Sequence, residues 1–87
     1  MYNIFIIESA QKDLRSLPKH EASAISEKIQ TLSTNPRPQQ SAKLKGAKDA
    51  YRLRKGKYRI TYTIDDSKGE ITIYSIRHRK DIYRYLF

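Results

Sequence analysis

Two alternating segments, Tyr58 to Ile64 and Glu70 to Arg77, separated by Asp65-Asp66-Ser67-Lys68-Gly69, constrain this chain more than any other part of it. Successive side chains of a strand point to opposite faces, so every second residue must share an environment. Folding the two segments antiparallel across the turn sets Ile64 opposite Ile71 and Tyr62 opposite Ile73, which makes one continuous apolar face. A sheet with one apolar face needs a cover. The other face collects Arg59, Thr61, Thr63, Thr72 and Tyr74. A preceding alternating strand, Tyr51 to Arg54, turns back at Lys55-Gly56 and adds Arg52 and Arg54 to that second face. The three strands read as a meander whose exposed side is basic and hydroxyl-rich.

The first half of the chain supplies the cover. Ala10, Leu14 and Leu17 mark one side of a short helix, with Ser9 as its N-cap and Pro18 as its stop. Ala22, Ile25, Ile29 and Leu32 recur at three-and-four spacing along a second helix that starts near Lys19 or His20. Asn35-Pro36-Arg37-Pro38 ends it, because proline lacks an amide hydrogen and restricts the residue before it. A polar linker, Gln39 to Gly46, follows, with Leu44 as its apolar anchor. Ahead of the helices, Tyr2 to Ile7 reads as a strand, apolar on both sides and therefore interior to the sheet. Asp81 to Phe87 closes the chain as a short helix or turn, with Ile82, Leu86 and Phe87 docking on the core and Tyr83 and Arg84 left available. The expected architecture is α+β, a single domain over residues 1–87. It has an N-terminal strand, two helices on one face of a mostly antiparallel sheet, and a C-terminal three-strand meander.

A chain of 87 residues buries only about 60 to 65 per cent of its unfolded surface. It has no cysteine to staple the fold, which suits a reducing cytoplasm. Its longest apolar stretch, Ile4 to Ile7, is far too short to span a bilayer and lacks signal-peptide flanks, so a cytoplasmic protein with no membrane partner is expected. Charge says more about partners. The formal net charge is +9, with five basic and four acidic residues in 1–42 against thirteen and five in 43–87. Such a one-sided field favours a polyanion, nucleic acid before an acidic protein.

Most catalytic kits are missing. With His20 and His78 as the two histidines and no cluster at ligand spacing, neither a metal nor another cofactor is expected. The three glycines are isolated and form no phosphate-cradling loop. Asp65-Asp66 reads as a pair of solvated turn formers, His20 as a surface residue at a helix start, and Tyr51, Tyr58 and Tyr62 as core. Phosphate chemistry by cations remains, and RNA is the substrate for which that suffices. RNA carries its own nucleophile, the 2′-hydroxyl, so a catalyst need only align it, stabilise charge and help protons move. Arg52, Arg54 and Arg59 supply charge, and Tyr74 or Tyr83 can stack on a base. Lys43, Lys45 and Lys48, together with Lys55, Lys57 and Arg77, are candidate RNA contacts rather than catalytic groups.

The order of these elements, with Lys43-Leu44-Lys45-Gly46, Tyr51-Arg52-Leu53-Arg54, Tyr58-Arg59-Ile60-Thr61-Tyr62 and Arg77-His78-Arg79-Lys80-Asp81-Ile82-Tyr83, resembles the RelE/ParE toxin superfamily, and within it the RelE-like branch. The resemblance covers essentially the whole chain. It implies a RelE-like microbial RNase fold and the toxin of a bacterial type II toxin–antitoxin pair, an endoribonuclease that cuts mRNA in the ribosomal A site and leaves a 2′,3′-cyclic phosphate. The implied partners are mRNA, ribosomal RNA and a cognate acidic antitoxin. The family's basic positions fall on Arg52, Arg54, Arg59 and Arg79, with Arg77 or His78 as alternatives for the last, and its C-terminal tyrosine falls on Tyr83. Where well-known RelE members carry lysines, this chain has arginines at 52 and 54, and a guanidinium with a pKa above about 12 is a poor general base. His78 is one candidate acid or base; the alternative leaves proton transfer to ribosomal groups or water. Two other functions stay open at this point: a ParE-like inhibitor of DNA gyrase without nuclease chemistry, and a plain RNA-binding module.

Overall fold

The computed structural model describes residues 1–80. The expected C-terminal helix or turn, with Ile82, Tyr83, Arg84, Leu86 and Phe87, lies outside them. Strand β1 (Asn3–Ile6) leads into helices α1 (Glu8–Arg15) and α2 (Lys19–Thr31), which are followed by β2 (Ser41–Lys43), β3 (Ala50–Lys55), β4 (Tyr58–Asp65) and β5 (Glu70–His78). The strands form one sheet in the order β1-β5-β4-β3-β2, with β1 parallel to β5 and every other pair antiparallel. Ala10 of α1 and Ile25, Ile29 and Leu32 at the second helical stripe pack on Leu53, Ile60, Tyr62, Ile64, Ile71, Ile73 and Ile76. Both helices therefore cover the same side of the sheet, the α+β arrangement that the alternation demanded. No helix among the described residues is long and apolar enough to cross a membrane.

The register keeps Ile64 opposite Ile71 and Tyr62 opposite Ile73, then changes. Thr61 faces Ser75 while its neighbour Tyr62 faces Ile73, so Tyr74 is an extra residue in β5, a β-bulge,. Its cause is legible in the burial: Ile71 and Ile73 are two residues apart, but the next fully enclosed side chain, Ile76, comes three later. Two consecutive residues, Tyr74 and Ser75, then sit on the open side. Every residue beyond them exchanges faces relative to a regular strand.

Four local expectations are corrected. β1 is an edge strand and not interior: Ile4 and Ile6 lean on the core, whereas Asn3 and Phe5 face outward, because only one side of the sheet is covered. Ser9 does not cap α1. The N-cap is Ile7, without a side-chain cap bond, and Glu8 in the first turn complements the helix dipole,. The linker is not wholly irregular, since Ser41–Lys43 pairs with β3 after the Ser41 amide and hydroxyl both donate to the Pro38 carbonyl, at 2.9 and 2.7 Å. A Ser-Ala-Lys triplet carries no strand signal of its own, so this pairing is tertiary in origin. Asp66 is the fourth correction, because it is a structural anchor as well as a turn residue.

Asp66 sits at the centre of a polar clasp that closes one end of the sheet. Arg37 donates to both its carboxylate oxygens, at 2.8 and 3.4 Å, and Tyr2 donates its phenol to Oδ1 at 2.6 Å. Arg37 also donates from Nε to the Tyr51 hydroxyl at 3.0 Å and lies over that ring. Next to it, the enclosed Tyr62 donates to the Pro36 carbonyl at 2.8 Å. The prolines that stop α2 thus route the chain back across the sheet, where Arg37 ties α2, β3 and the β4–β5 turn together.

The Arg37 guanidinium and the Tyr2 phenol hold the Asp66 carboxyl below its ordinary 3.8, and that carboxylate raises the Tyr2 phenol above 10.0. A depressed carboxyl stabilises the fold fully above about 3.8 and ceases to do so as pH falls through its folded value; a raised phenol does so fully below 10.0 and ceases to as pH rises through its higher folded value,. Melting temperature measured against pH is therefore expected to show a plateau between these limits. Asp66→Asn should lower the plateau and flatten both flanks, and identical flanks in the variant would contradict this account.

Candidate functional site

The register that builds the core also builds the opposite face. Arg54 of β3 stands directly across from Arg59 of β4, and Arg59 from Arg77 of β5. Directly opposed residues share a face and lie about 5 Å apart, so three guanidinium groups leave the sheet side by side. The adjacent row is Arg52, Thr61 and Ser75. Further along come Ala50, Thr63, Thr72 and Phe5, and at the far end Asp65, Glu70 and Asn3. The open face thus grades from basic through hydroxyl-bearing to acidic.

The basic end is also where the backbone makes a cleft. Gly56, at φ +59, takes the left-handed position of a two-residue turn in which Lys55 pairs with Tyr58,. The amide of Arg79 donates to the Lys57 carbonyl of this turn at 2.8 Å, which fastens the chain beyond β5 beside the hairpin tip. Arg54, Gly56, Lys57, Tyr58, Arg59 and Arg79 then line a cavity of about 110 Å³. That is the volume of a few waters, on the scale of one phosphoryl group, and four cations border it. Arginine's planar fork suits bidentate contact with phosphate oxygens.

The described residues bring together Arg54, Arg59 and Arg79 as the sequence suggested, and add Lys57 to them. Arg52 shares their face one row away, and Arg77 is the third member of the guanidinium row. His78 is elsewhere. It lies opposite Tyr58, whose hydroxyl donates to Glu21 of α2; the two rings meet edge-on at 5.4 Å, and Nδ1 accepts the Lys80 amide at 3.1 Å. The bulge is responsible, because it carries Ile76 and His78 to the helix side and Arg77 to the open side. Lys55 falls with Tyr58 on the helix side, and Lys43, Lys45 and Lys48 lie around the β2–β3 connection, away from the cleft. Tyr83 lies outside the described residues.

Asp13 of α1 was not singled out by sequence, yet it holds the row in place. Its Oδ2 accepts the Ile76 amide at 3.1 Å, on the stretch of β5 edge that β1 is too short to pair, and its Oδ1 receives Arg77 at 3.3 Å. One carboxylate thus completes an open strand edge and balances one end of a row of like charges. An aspartate on the polar flank of a short helix carries no sequence signal for either task.

A larger concavity, about 550 Å³, lies at the other end of the sheet between Lys48–Asp49 and the β4–β5 turn. Asp49, Asp65 and Asp66 are in its wall, the wrong sign for a phosphate. Ser67 and the Lys68 amide donate to Asp65 and hold its carboxyl below the usual range, so it stays anionic.

The chain matches known proteins along most of its length. A family model for the ParE toxin of type II toxin–antitoxin systems, parDE, covers residues 4–83. A relative described as putative toxin RelE1 from Methanocaldococcus jannaschii is 35% identical over 86 residues, spanning 95% of this chain and 96% of that protein. Toxin RelG of Mycobacterium tuberculosis is 31% identical over 84 residues, spanning 95% and 97%. Among solved structures, the archaeal RelE–RelB complex from Pyrococcus horikoshii superposes with a TM-score of 0.81 at 31% identity, covering 90% of this chain and 94% of that one.

Removing the Asp13 carboxylate takes its acceptor from the Ile76 amide and one counter-charge from Arg77. Asp13→Ala is expected to destabilise the fold by about 1–3 kcal/mol in chemical denaturation. A loss below about 0.3 kcal/mol would show that water satisfies the strand edge equally well.

Proposed function

Since this chain belongs to the ParE toxin family of type II toxin–antitoxin systems and is a RelE-like toxin, we propose that it is an endoribonuclease that cuts mRNA in the ribosomal A site. The observation that supports this reading best is the convergence of Arg54, Arg59 and Arg79 on one small cleft at the basic end of an open sheet face. In the proposed reaction the 2′-oxygen attacks the adjacent phosphorus, the bond to the 5′-oxygen breaks, and a 2′,3′-cyclic phosphate and a 5′-hydroxyl result. Arg54, Arg59 and Arg79 donate to the non-bridging oxygens, whose charge grows in the transition state. Arg52, one row away, holds the neighbouring phosphate, and Tyr83 is the candidate for stacking on a base at the cut.

One proton must leave the 2′-hydroxyl and one must reach the 5′-oxygen. Arginine takes neither part at neutral pH. His78 faces Tyr58 and the helices rather than the guanidinium row, which favours the reading in which water or ribosomal groups move the protons while the protein stabilises charge. Lys43, Lys45 and Lys48 make diffuse contacts with ribosomal RNA in this scheme. The Pyrococcus relative is seen bound to RelB, and a net charge of +9 suits an acidic antitoxin that neutralises this chain in the same way. Work on translating ribosomes makes the protein cytoplasmic.

In a translating extract the protein should produce codon-phased cuts in mRNA, and Arg59→Ala should slow them by about 10²-fold or more, the usual cost of one lost transition-state donor. Intact mRNA with accumulating DNA breaks would replace this reading with gyrase inhibition. An Arg59→Ala rate equal to wild type would remove that residue from the mechanism.

His78→Ala should leave the cutting rate within about threefold of wild type, because a general acid or base contributes about 10²–10⁴. A loss in that larger range would return proton transfer to the histidine.

A further inference from the structure

Two large aromatic side chains stand out on the open face. Phe5 is 49% exposed and Tyr74 45%, more than any other described aromatic residue of the chain. Phe5 sits across from Thr72 in the β1–β5 pairing, and Tyr74 lies two residues further along β5. That puts them on one side of the sheet, on adjacent strands and two residues apart in register. Alternation from Ile71 and Ile73 turns Tyr74 outward, and the bulge adds Ser75 beside it on the same side. Large exposed apolar groups on an otherwise polar face are informative where a solitary one is not.

The surroundings specify the occupant. Between these rings and the guanidinium row lie Thr61 and Ser75, both hydroxyl-bearing, and Arg52; Thr72 and Thr63 flank Phe5 in its own row, and the first acidic residues that the sheet turns to this face, Asp65 and Glu70, come only beyond them. A segment crossing from Arg59 to Tyr74 therefore meets cations, then hydroxyl groups, then aromatic faces, and the Asp13 carboxylate at the β5 edge is taken up by Arg77 and the Ile76 amide. A strand of RNA presents phosphate, ribose and base in a matching series, and bases of any sequence stack on aromatic rings. An acidic peptide would match the cations but offers the rings a planar partner only where it carries an aromatic side chain, whereas every nucleotide carries a base.

We propose that Phe5 and Tyr74 form a base-stacking platform for single-stranded RNA, holding the bases a few nucleotides away from the phosphate seated among Arg54, Arg59 and Arg79. This rests on the nuclease reading above and adds a subsite to it. The platform sets the path that the strand takes across the sheet, since only one end of the face is cationic.

The test uses the full-length protein and a short single-stranded RNA carrying 2′-O-methyl groups, which cannot be cut, beside an abasic oligomer with the same number of phosphates. Wild type should bind the base-bearing oligomer more tightly. Phe5→Leu and Tyr74→Leu, which keep apolar bulk without a ring, should each weaken that binding by about fivefold or more and leave the abasic affinity unchanged; Tyr74→Phe should retain wild-type binding. No preference for bases in wild type, unchanged binding in the leucine variants, or equal losses on both oligomers would overturn the platform. So would an effect confined to antitoxin binding or to self-association. Codon-phased cutting by wild type is scored separately. Cuts without base preference sink only the platform, whereas their absence sinks the nuclease reading itself.

Discussion

The antiparallel pairing of β4 with β5 carries the core, and its terms are set by isoleucines that cannot all be buried by a regular strand. Ile71 and Ile73 match Ile64 and Tyr62, but Ile76 is needed opposite Ile60, three positions on from Ile73. Leaving β5 regular would turn Ile76 to water, forfeiting about 1.5–3 kcal/mol of burial, and would push Arg77 beneath the helices, where an unpaired guanidinium is more costly still. One inserted residue removes both penalties. Core packing and the composition of the open face are thus a single decision: the residue that lets Ile76 inside brings Arg77 out beside Arg59.

A row of three guanidinium groups across neighbouring strands opposes folding, because like charges directly opposite repel. The molecule offsets this locally. Asp13 reaches from α1 to Arg77 and to the strand edge at once, and the bidentate Arg37–Asp66 clasp at the other end of the sheet binds the post-α2 segment to the β4–β5 turn. Exposed ion pairs contribute little singly, but the clasp also engages Tyr2 and Tyr51 and so joins four segments. Local repulsion retained at one place and compensated elsewhere is the pattern expected where a surface is kept for binding.

Much of this was legible before any coordinates. Strict alternation in Tyr58 to Ile64 gave the apolar and basic faces, and the turn residues gave a register for Ile64 and Tyr62 that the structure keeps. The helical stripe of Ile25, Ile29 and Leu32 was equally clear, since three-and-four spacing is a property of the sequence itself. What escaped was decided by partners distant in the chain. A three-residue strand at Ser41–Lys43, the edge position of β1, the clasp around Asp66 and the role of Asp13 all depend on contacts that periodicity does not encode. The bulge lies between these cases: the change from two-residue to three-residue spacing after Ile73 is visible in the sequence, but regular alternation conceals it until burial is known. Because of it, Arg54 and Arg59 could be placed by pattern, whereas Arg77 and His78 could not. Arg79 reaches the cleft through a backbone bond to Lys57 that no pattern announces.

The grading of the open face from arginine to aspartate amounts to a permanent electric dipole lying in the plane of the sheet. A polyanion exerts torque on such a body before any contact forms, so approach is biased toward the orientation in which the cationic end leads. Encounter rates should then depend steeply on ionic strength, because the torque acts over a range that dissolved salt cuts to about 8 Å under physiological conditions. Orientation would be settled in solution, ahead of recognition at the surface.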